Sequence, residues 1–357
     1  MLENWKDRGY DFSGLYGEKA KGLERPEIME SKNLKRMLYV ARLSHSLKAA
    51  NIPESLFSIR LVLISVLLLA SVSMAQNILM TDDLGHRLEL KGCPQRIISL
   101  APNLTEILFA LELDREIIGV TRFCDFPPQA RTKEIIGGLV DPSLEKIQVL
   151  HPDLILGFRG NPRRVVEKIY EEKLPVLVFQ SGKSFDDLFL LIKRIGKLTC
   201  REVQAEALCL EMRKRLQAVD SRLSQIKPEK KVFLTLYGQG PGLWTCGRDS
   251  YLSNLLLRAK VRNVASSLRG NWLVYNREKL IQDNPEIILI LGGDEGAFEN
   301  SKKWFLSEPT FRKIAAVSEK NFIFLDENLF SRFGPRLVQA YEQLAGAVHP
   351  ELFLEEK

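Results

Sequence analysis

"SLEKIQVLHPDLILG", Ser143–Gly157, and "NREKLIQDNPEIILI", Asn276–Ile290, are one phrase written twice, 133 residues apart. Aligned without a gap, Glu145 falls on Glu278, Lys146 on Lys279, Ile147 on Leu280 and Pro152 on Pro285. The apolar runs Leu154-Ile155-Leu156 and Ile287-Ile288-Leu289 then coincide. Each copy reads as helix, proline, strand. Ser143 and Asn276 suit the N-cap, where a side-chain oxygen satisfies a free backbone N–H, and an acid in the first turn complements the helix dipole. The proline ends the helix and starts the strand. Helix-end electrostatics accounts for an acid near each start. It does not explain why Glu and one Lys are the only exposed residue types the copies share.

Outward from the copies, short β-rich apolar runs alternate with amphipathic stretches. Before the midpoint they are Arg96–Leu100, Glu116–Val120, Asp153–Phe158 and Val176–Phe179; after it, Val232–Tyr237, Glu286–Leu291 and Phe322–Leu325. Continuous apolar strands suit parallel sheets buried on both faces, and the alternation with helices points to α/β layering. Between the groups, Thr199–Ile226 contains no Gly or Pro. Thr199 and Glu202 form a Thr-x-x-Glu capping box, and Leu208, Met212, Leu216, Val219, Leu223 and Ile226 fall on one helical face. The spacing predicts a helix about 40 Å long. The expected organisation is an N-terminal lobe over 77–198, a connecting helix over 199–227 and a C-terminal lobe over 228–357. The expected fold class is α/β, two Rossmann-like lobes joined by one long α-helix.

The chain has 357 residues, 45% hydrophobic and 27% charged, with net charge +6. The charge divides evenly, +3 in residues 1–76 and +3 beyond. No basic face or tail emerges, which argues against a nucleic-acid partner. "RLVLISVLLLASVSMAQN", Arg60–Asn77, has one cation, a short apolar run and small residues at Ser73 and Ala75. This pattern over 58–75 predicts a signal peptide cleaved after Ala75 and a periplasmic product. The other reading is an uncleaved membrane anchor, although the dense apolar part, Leu61–Val72, is short for a span of about 20 residues. No Cys directly follows that run, so no lipid anchor is expected. Residues 1–57 read as a disordered extension or as the product of a start assigned too far upstream.

Five cysteines follow the leader: Cys93, Cys124, Cys200, Cys209 and Cys246. An exported protein pairs some of them, and the odd count leaves at least one free. Cys200 and Cys209 share the predicted long helix, roughly 13 Å apart, too far to bond. There is no CxxC, and His45, His86, His151 and His349 are scattered, so no metal site is expected. No nucleophile–base pair stands out. "GGDEG", Gly292–Gly296, follows a strand but lacks the spacing and Lys of a phosphate loop. The chain does not read as an enzyme and no catalytic cofactor is expected. Asn103-Leu104-Thr105 matches a glycosylation sequon but lies at a strand-to-helix turn, where it reads as turn and cap chemistry.

"RIISLAPNLTEILFAL" (Arg96–Leu111), "IIGVTRFCDFPPQA", "LEKIQVLHPDLIL", "VFLTLYGQGPGLWTCGRDSYLSNLL", "NWLVYNREKLIQDNPEIILILGG" and "LFSRFGPRLVQAYEQL" together carry a resemblance. In order and spacing, over about residues 80–350, the chain resembles the periplasmic solute-binding proteins for vitamin B12, iron-siderophores and haem. The resemblance implies a monomer with a ligand cleft between the lobes, serving an ABC importer. It assigns Glu145 and Glu278, one per lobe, to docking on the two permease subunits, where a carboxylate can meet Arg in a charge-assisted pair. It implies a corrinoid as ligand, held by Phe123, Phe158, Trp244, Trp272 and Phe330, with Asp125 and Arg332 as polar contacts. Each of these aromatics also suits a core position. Two departures concern the ligand: Leu139 stands where a corrinoid binder carries Trp, and the loop before Trp244 is about two residues longer.

The alternatives within the class are haem, with Tyr237 or Tyr275 as iron ligand and His151 read as away from the cleft, and an iron-siderophore held by Arg122, Arg159, Arg248 and Arg332. A metal-cluster enzyme on a related two-lobed fold is the remaining alternative.

Overall fold

In a computed structural model, residues 77–227, 230–236 and 242–353 are described. The expected extension, the signal peptide and Tyr237 lie outside them. The chain opens on an antiparallel hairpin, β1 (Ile78–Thr81) and β2 (Arg87–Leu90). The first sheet then gathers β3 (Ile97–Ser99), β4 (Ile117–Val120), β5 (Glu134–Ile135), β6 (Leu154–Phe158) and β7 (Val176–Phe179). Its order is β5-β4-β3-β6-β7, with all pairings parallel. The second sheet uses β8 (Lys231–Leu236), β10 (Arg262–Asn263), β12 (Ile287–Gly292) and β13 (Phe322–Asp326) in the order β10-β8-β12-β13, again parallel. β9 (Leu243–Cys246) and β11 (Trp272–Tyr275) form a separate antiparallel pair. This is the two-lobed α/β architecture expected from the repeated phrase.

Period-2 alternation assigns the strand side chains to faces. Leu154, Leu156, Leu177 and Phe179 from the first sheet join Val232, Leu234, Leu289 and Leu291 from the second in one buried cluster. Helices Phe185–Leu198, Glu202–Arg222 and Leu337–Val348 complete that shared core. Ile98, Ile155, Val176 and Val178 face the other way, into a cluster with Ile147 from helix Leu144–Val149. Phe233, Ile288 and Ile290 do the same in the second lobe, with Leu280 from helix Arg277–Asp283. The two copies of the phrase therefore take equivalent places. Each puts a short helix on the outer face of its own sheet, pinned by one fully buried aliphatic side chain. Burying such a side chain stabilises by about 1.5–3 kcal/mol. Both expected N-caps are present: Ser143 Oγ accepts from the Lys146 N–H at 3.2 Å, and Asn276 Oδ1 from the Lys279 N–H at 2.8 Å.

The connecting helix differs from the expected Thr199–Ile226. A preceding helix ends at Leu198, Thr199 is its C-cap, and a new helix spans Glu202–Arg222, about 31 Å at 1.5 Å per residue. Thr199 is no N-cap: its hydroxyl donates back to the Ile195 carbonyl at 2.8 Å. Cys200, at φ +57°, turns the chain, so it does not share a helix with Cys209 and instead bonds Cys93. The expected apolar face is real, with Leu208, Met212, Leu216, Val219 and Leu223 all buried. Cys124, Cys209 and Cys246 are free and buried.

Candidate functional site

A cavity of about 270 Å³ opens between the lobes. Its walls follow the C-terminal ends of β3, β4, β6, β7 and β13, where parallel α/β sheets hold ligands. The first lobe contributes Asn103, Phe123, Leu139 and Phe158; the second contributes Asn328, Arg332 and Phe333. Phe123 is 50% exposed at the mouth. Phe158 and Leu139 are half-buried and rest on the shared core. Aromatic faces with a few polar edges suit a broad, largely apolar ligand.

Buried polar side chains hold these walls. Asn161, 4% exposed, accepts from the Phe158 N–H at 2.7 Å and donates to the carbonyls of Leu100 at 3.1 Å and Leu139 at 2.9 Å. Arg332, 8% exposed, donates through Nη1 to Glu106 Oε1 at 3.1 Å and contacts Asp125 Oδ1 at 2.7 Å. Through Nη2 it reaches the Phe123 carbonyl at 3.3 Å and Asn328 Oδ1 at 2.9 Å. Burial works against the Arg332 charge, but the hydrogen bond to Asp125 and the Glu106 carboxylate outweigh it and raise its pKa further. Cys124, between Phe123 and Asp125, stays a neutral thiol: burial pushes its pKa up, against hydrogen bonds with Thr105 and Thr121. Asn103 is not cap chemistry. It is buried in the first turn of helix Pro102–Ala110 and donates to the Phe333 carbonyl across the lobes at 3.4 Å.

Of the expected ligand contacts, Phe123, Phe158 and Arg332 meet at the cavity, with Asp125 behind Arg332. Trp244 and Trp272 sit on the β9–β11 pair, half-buried, and do not line this cavity. Trp272 packs against the shared core. Phe330 is a correction. At 1% exposure it belongs to the core, because helix Glu327–Phe330 turns it inward while Asn328 faces out. Asn103, Glu106, Asn161 and Phe333 were not anticipated. The one local signal was Glu106, the only charged residue between Ile97 and Leu111.

The other readings meet the same geometry. Tyr275 is 3% exposed in the outer core of the second lobe, donating to the Val264 carbonyl and to Asp283, so it does not face the cleft. Arg122 is paired with Asp141 at 2.8 Å and Arg159 donates to Gln180 at 2.6 Å. Gly292–Gly296 starts helix Glu295–Ser307, with Asp294 as its N-cap. Among the described residues no group of three His, Cys, Asp or Glu side chains is placed to hold a metal ion.

On the outer faces, Glu145 and Glu278 are both exposed. Their neighbours in the phrase are engaged within the protein: Lys146 with Glu134 at 3.0 Å, and Lys279 with Asp283 at 2.5 Å. Among the described residues neither glutamate has a salt-bridge partner. The shared Lys thus has an internal role, and the shared Glu is left facing solvent.

The family model described as periplasmic binding protein matches residues 97–329. An uncharacterised ABC transporter substrate-binding lipoprotein of Bacillus subtilis is 28% identical over 281 residues, 77% of this chain and 86% of the relative. A vitamin B12-binding protein of Photorhabdus laumondii is 30% identical over 256 residues, 71% of this chain and 88% of the relative. The crystal structure of a possible iron-binding, periplasmic solute-binding protein from Staphylococcus epidermidis aligns with TM-score 0.65 at 25% identity, covering 72% of this chain and 99% of that one.

Proposed function

This chain belongs to the periplasmic binding protein family, and on that premise we propose that it captures a corrinoid between its lobes and delivers it to an ABC importer. The observation that carries the corrinoid is the cavity's chemistry. Phe123, Leu139, Phe158 and Phe333 give it aromatic and aliphatic walls. The one guanidinium that lines it among the described residues, Arg332, is already neutralised by Glu106 and Asp125. An anionic ligand, such as haem with its two propionates or a ferric catecholate or carboxylate siderophore, calls for free cations in the cleft. A corrin rimmed by neutral amides needs apolar area and tolerant polar edges, here Asn103 and Asn328. A cavity of about 270 Å³ has room for one edge of such a ring, and the half-exposed Phe123 at its mouth offers a further aromatic face. The vitamin B12-binding relative supports the same ligand.

Haem or an iron-siderophore is the second reading, favoured by the iron-binding description of the Staphylococcus epidermidis relative. In either case the protein is a monomeric binding protein, exported to the periplasm, and not an enzyme. Glu145 and Glu278 dock one on each permease subunit. Their unpaired carboxylates, one per lobe on equivalent helices, suit a two-fold-symmetric partner with Arg pockets.

Titrating the purified protein with cyanocobalamin, haemin and a ferric siderophore, read by intrinsic Trp fluorescence, tests the ligand. Submicromolar binding of cyanocobalamin is expected. Submicromolar binding of haemin or the siderophore alone refutes the corrinoid.

A further inference from the structure

Glu106 is a carboxylate 3% exposed in the first lobe, and its partners are two arginines of the second. Arg336 forks onto it, Nη2 to Oε1 at 2.6 Å and Nε to Oε2 at 3.1 Å. Arg332 reaches the same Oε1 at 3.1 Å and Asp125 at 2.7 Å. Removing such a carboxylate from water is expensive, and paired geometry of this quality is what makes it tolerable. Glu106 and Asp125 balance the two guanidinium charges.

Both arginines of the cluster also hold a piece of the cavity wall. Arg332 engages the Phe123 carbonyl and the Asn328 side chain, which leaves it one of five N–H groups for anything else. Arg336 donates to the Asn328 carbonyl at 3.3 Å and lies 4.0 Å over the Phe126 ring. Among the described residues the other ion pair between the lobes, Lys183–Asp249 at 2.7 Å, is more exposed, at 58% and 35%, and so contributes little.

We propose that Glu106 is a positioning residue for ligand capture: through Arg332 and Arg336 it fixes the Asn328–Phe333 wall against the Phe123–Asp125 loop before ligand arrives. Arg332 is then a brace of the cavity, and the protein meets its ligand with the gap already set. Preorganisation of this kind removes an ordering cost from binding. The inference rests on the ligand reading only for the choice of probe.

The test is Glu106→Gln, which keeps the shape and removes the charge. Cyanocobalamin affinity is measured on protein shown folded by circular dichroism. Spin labels at Lys168→Cys and Asn300→Cys, exposed outer helical sites on the two lobes, report the inter-lobe distance. The three native free thiols are buried and do not compete. If the substitution lowers the competent arrangement to about a tenth of the molecules, apparent affinity falls about tenfold. The label distances broaden without ligand and narrow again at saturation. Glu342→Gln, which breaks the Arg215–Glu342 pair between two core helices, is the structural control. It lowers the melting temperature and leaves affinity and distances unchanged.

A folded Glu106→Gln protein with wild-type affinity, or with the wild-type distance distribution, overturns the proposal. If Glu106→Gln does not fold, Arg336→Lys keeps the charge and loses the fork, and the same two readouts decide. If wild-type protein binds no corrinoid, the ligand reading fails, and the distance measurement on ligand-free protein decides the proposal by itself.

Discussion

The disulfide between Cys93 and Cys200 makes a prediction whose size follows from where it sits. Cys93 lies four residues before β3, and Cys200 lies in the turn after helix Phe185–Leu198, so the bond encloses β3–β7 and the helices packed on them. It closes a loop of 107 residues. In the chain-entropy account, cross-linking a loop of that length removes about 4.8 kcal/mol of free energy from the unfolded ensemble at 25 °C. That figure is a ceiling, and native disulfides usually contribute about 2–4 kcal/mol. Cys93→Ser with Cys200→Ser is therefore expected to lower the unfolding free energy by about 3 kcal/mol. With a urea m-value of about 3 kcal/mol/M, the midpoint falls by about 1 M. Reductant should reproduce the shift in wild type and do nothing to the double variant. One buried cluster takes side chains from both sheets, so unfolding should remain a single transition even though the staple lies in the first lobe. Neither cysteine lines the cavity, so ligand affinity should hold in the folded range. A midpoint shift below about 0.3 M urea, or a first lobe that melts separately, refutes the reasoning.

Reversing both proposed docking charges, Glu145→Arg with Glu278→Arg, should abolish uptake in cells while cyanocobalamin affinity stays at the wild-type value. A charge-assisted contact contributes about 1.5–3 kcal/mol, so on the proposed docking each single reversal should weaken permease binding about tenfold or more; a loss of ligand affinity would contradict the assignment. Phe158→Ala should weaken ligand binding about tenfold, for the loss of one aromatic face worth about 1.5 kcal/mol, and unchanged fluorescence titration would remove Phe158 from the site. Asp82, 6% exposed, accepts from the N–H groups of Leu84, His86 and Val178 and from the Tyr170 hydroxyl. Burial raises its pKa, but those four bonds outweigh it and hold the group below the usual carboxylate range. Its stabilisation is therefore present above the unfolded pKa of about 3.9 and is lost as pH falls through the lower folded value. Asp82→Asn should cost about 1–3 kcal/mol at pH 7 and flatten the fall of stability with acid below about pH 4; parallel stability–pH curves for variant and wild type would refute this.

What could be read in the sequence is what is local or written twice. Each central strand stood out because both faces of its sheet are covered, so the run is apolar throughout, as in Ile287–Gly292. Glu145 and Glu278, the proposed docking pair, stand out because a repeat shares what both lobes use: a cap, a buried aliphatic, a proline, and an acid that helix electrostatics alone does not require. The break at Thr199 was hidden for a different reason. Its local pattern, Thr-x-x-Glu before an apolar stripe, is a good helix start. A residue 107 positions away, bonded to Cys200, fixes the turn there instead. The cavity is the extreme case. Glu106 is separated from Arg332 and Arg336 by 226 and 230 residues, and in sequence it is one acid inside an otherwise uncharged helix. Phe330 and Asn328 share a four-residue helix, and only the packing of that helix decides which of them meets solvent. The same packing changes the meaning of Arg332. As a residue type it suggests an anchor for an anion. With Glu106, Asp125, the Phe123 carbonyl and Asn328 around it, it has one N–H to offer. The charge that pointed to an acidic ligand is thereby an argument for a neutral one.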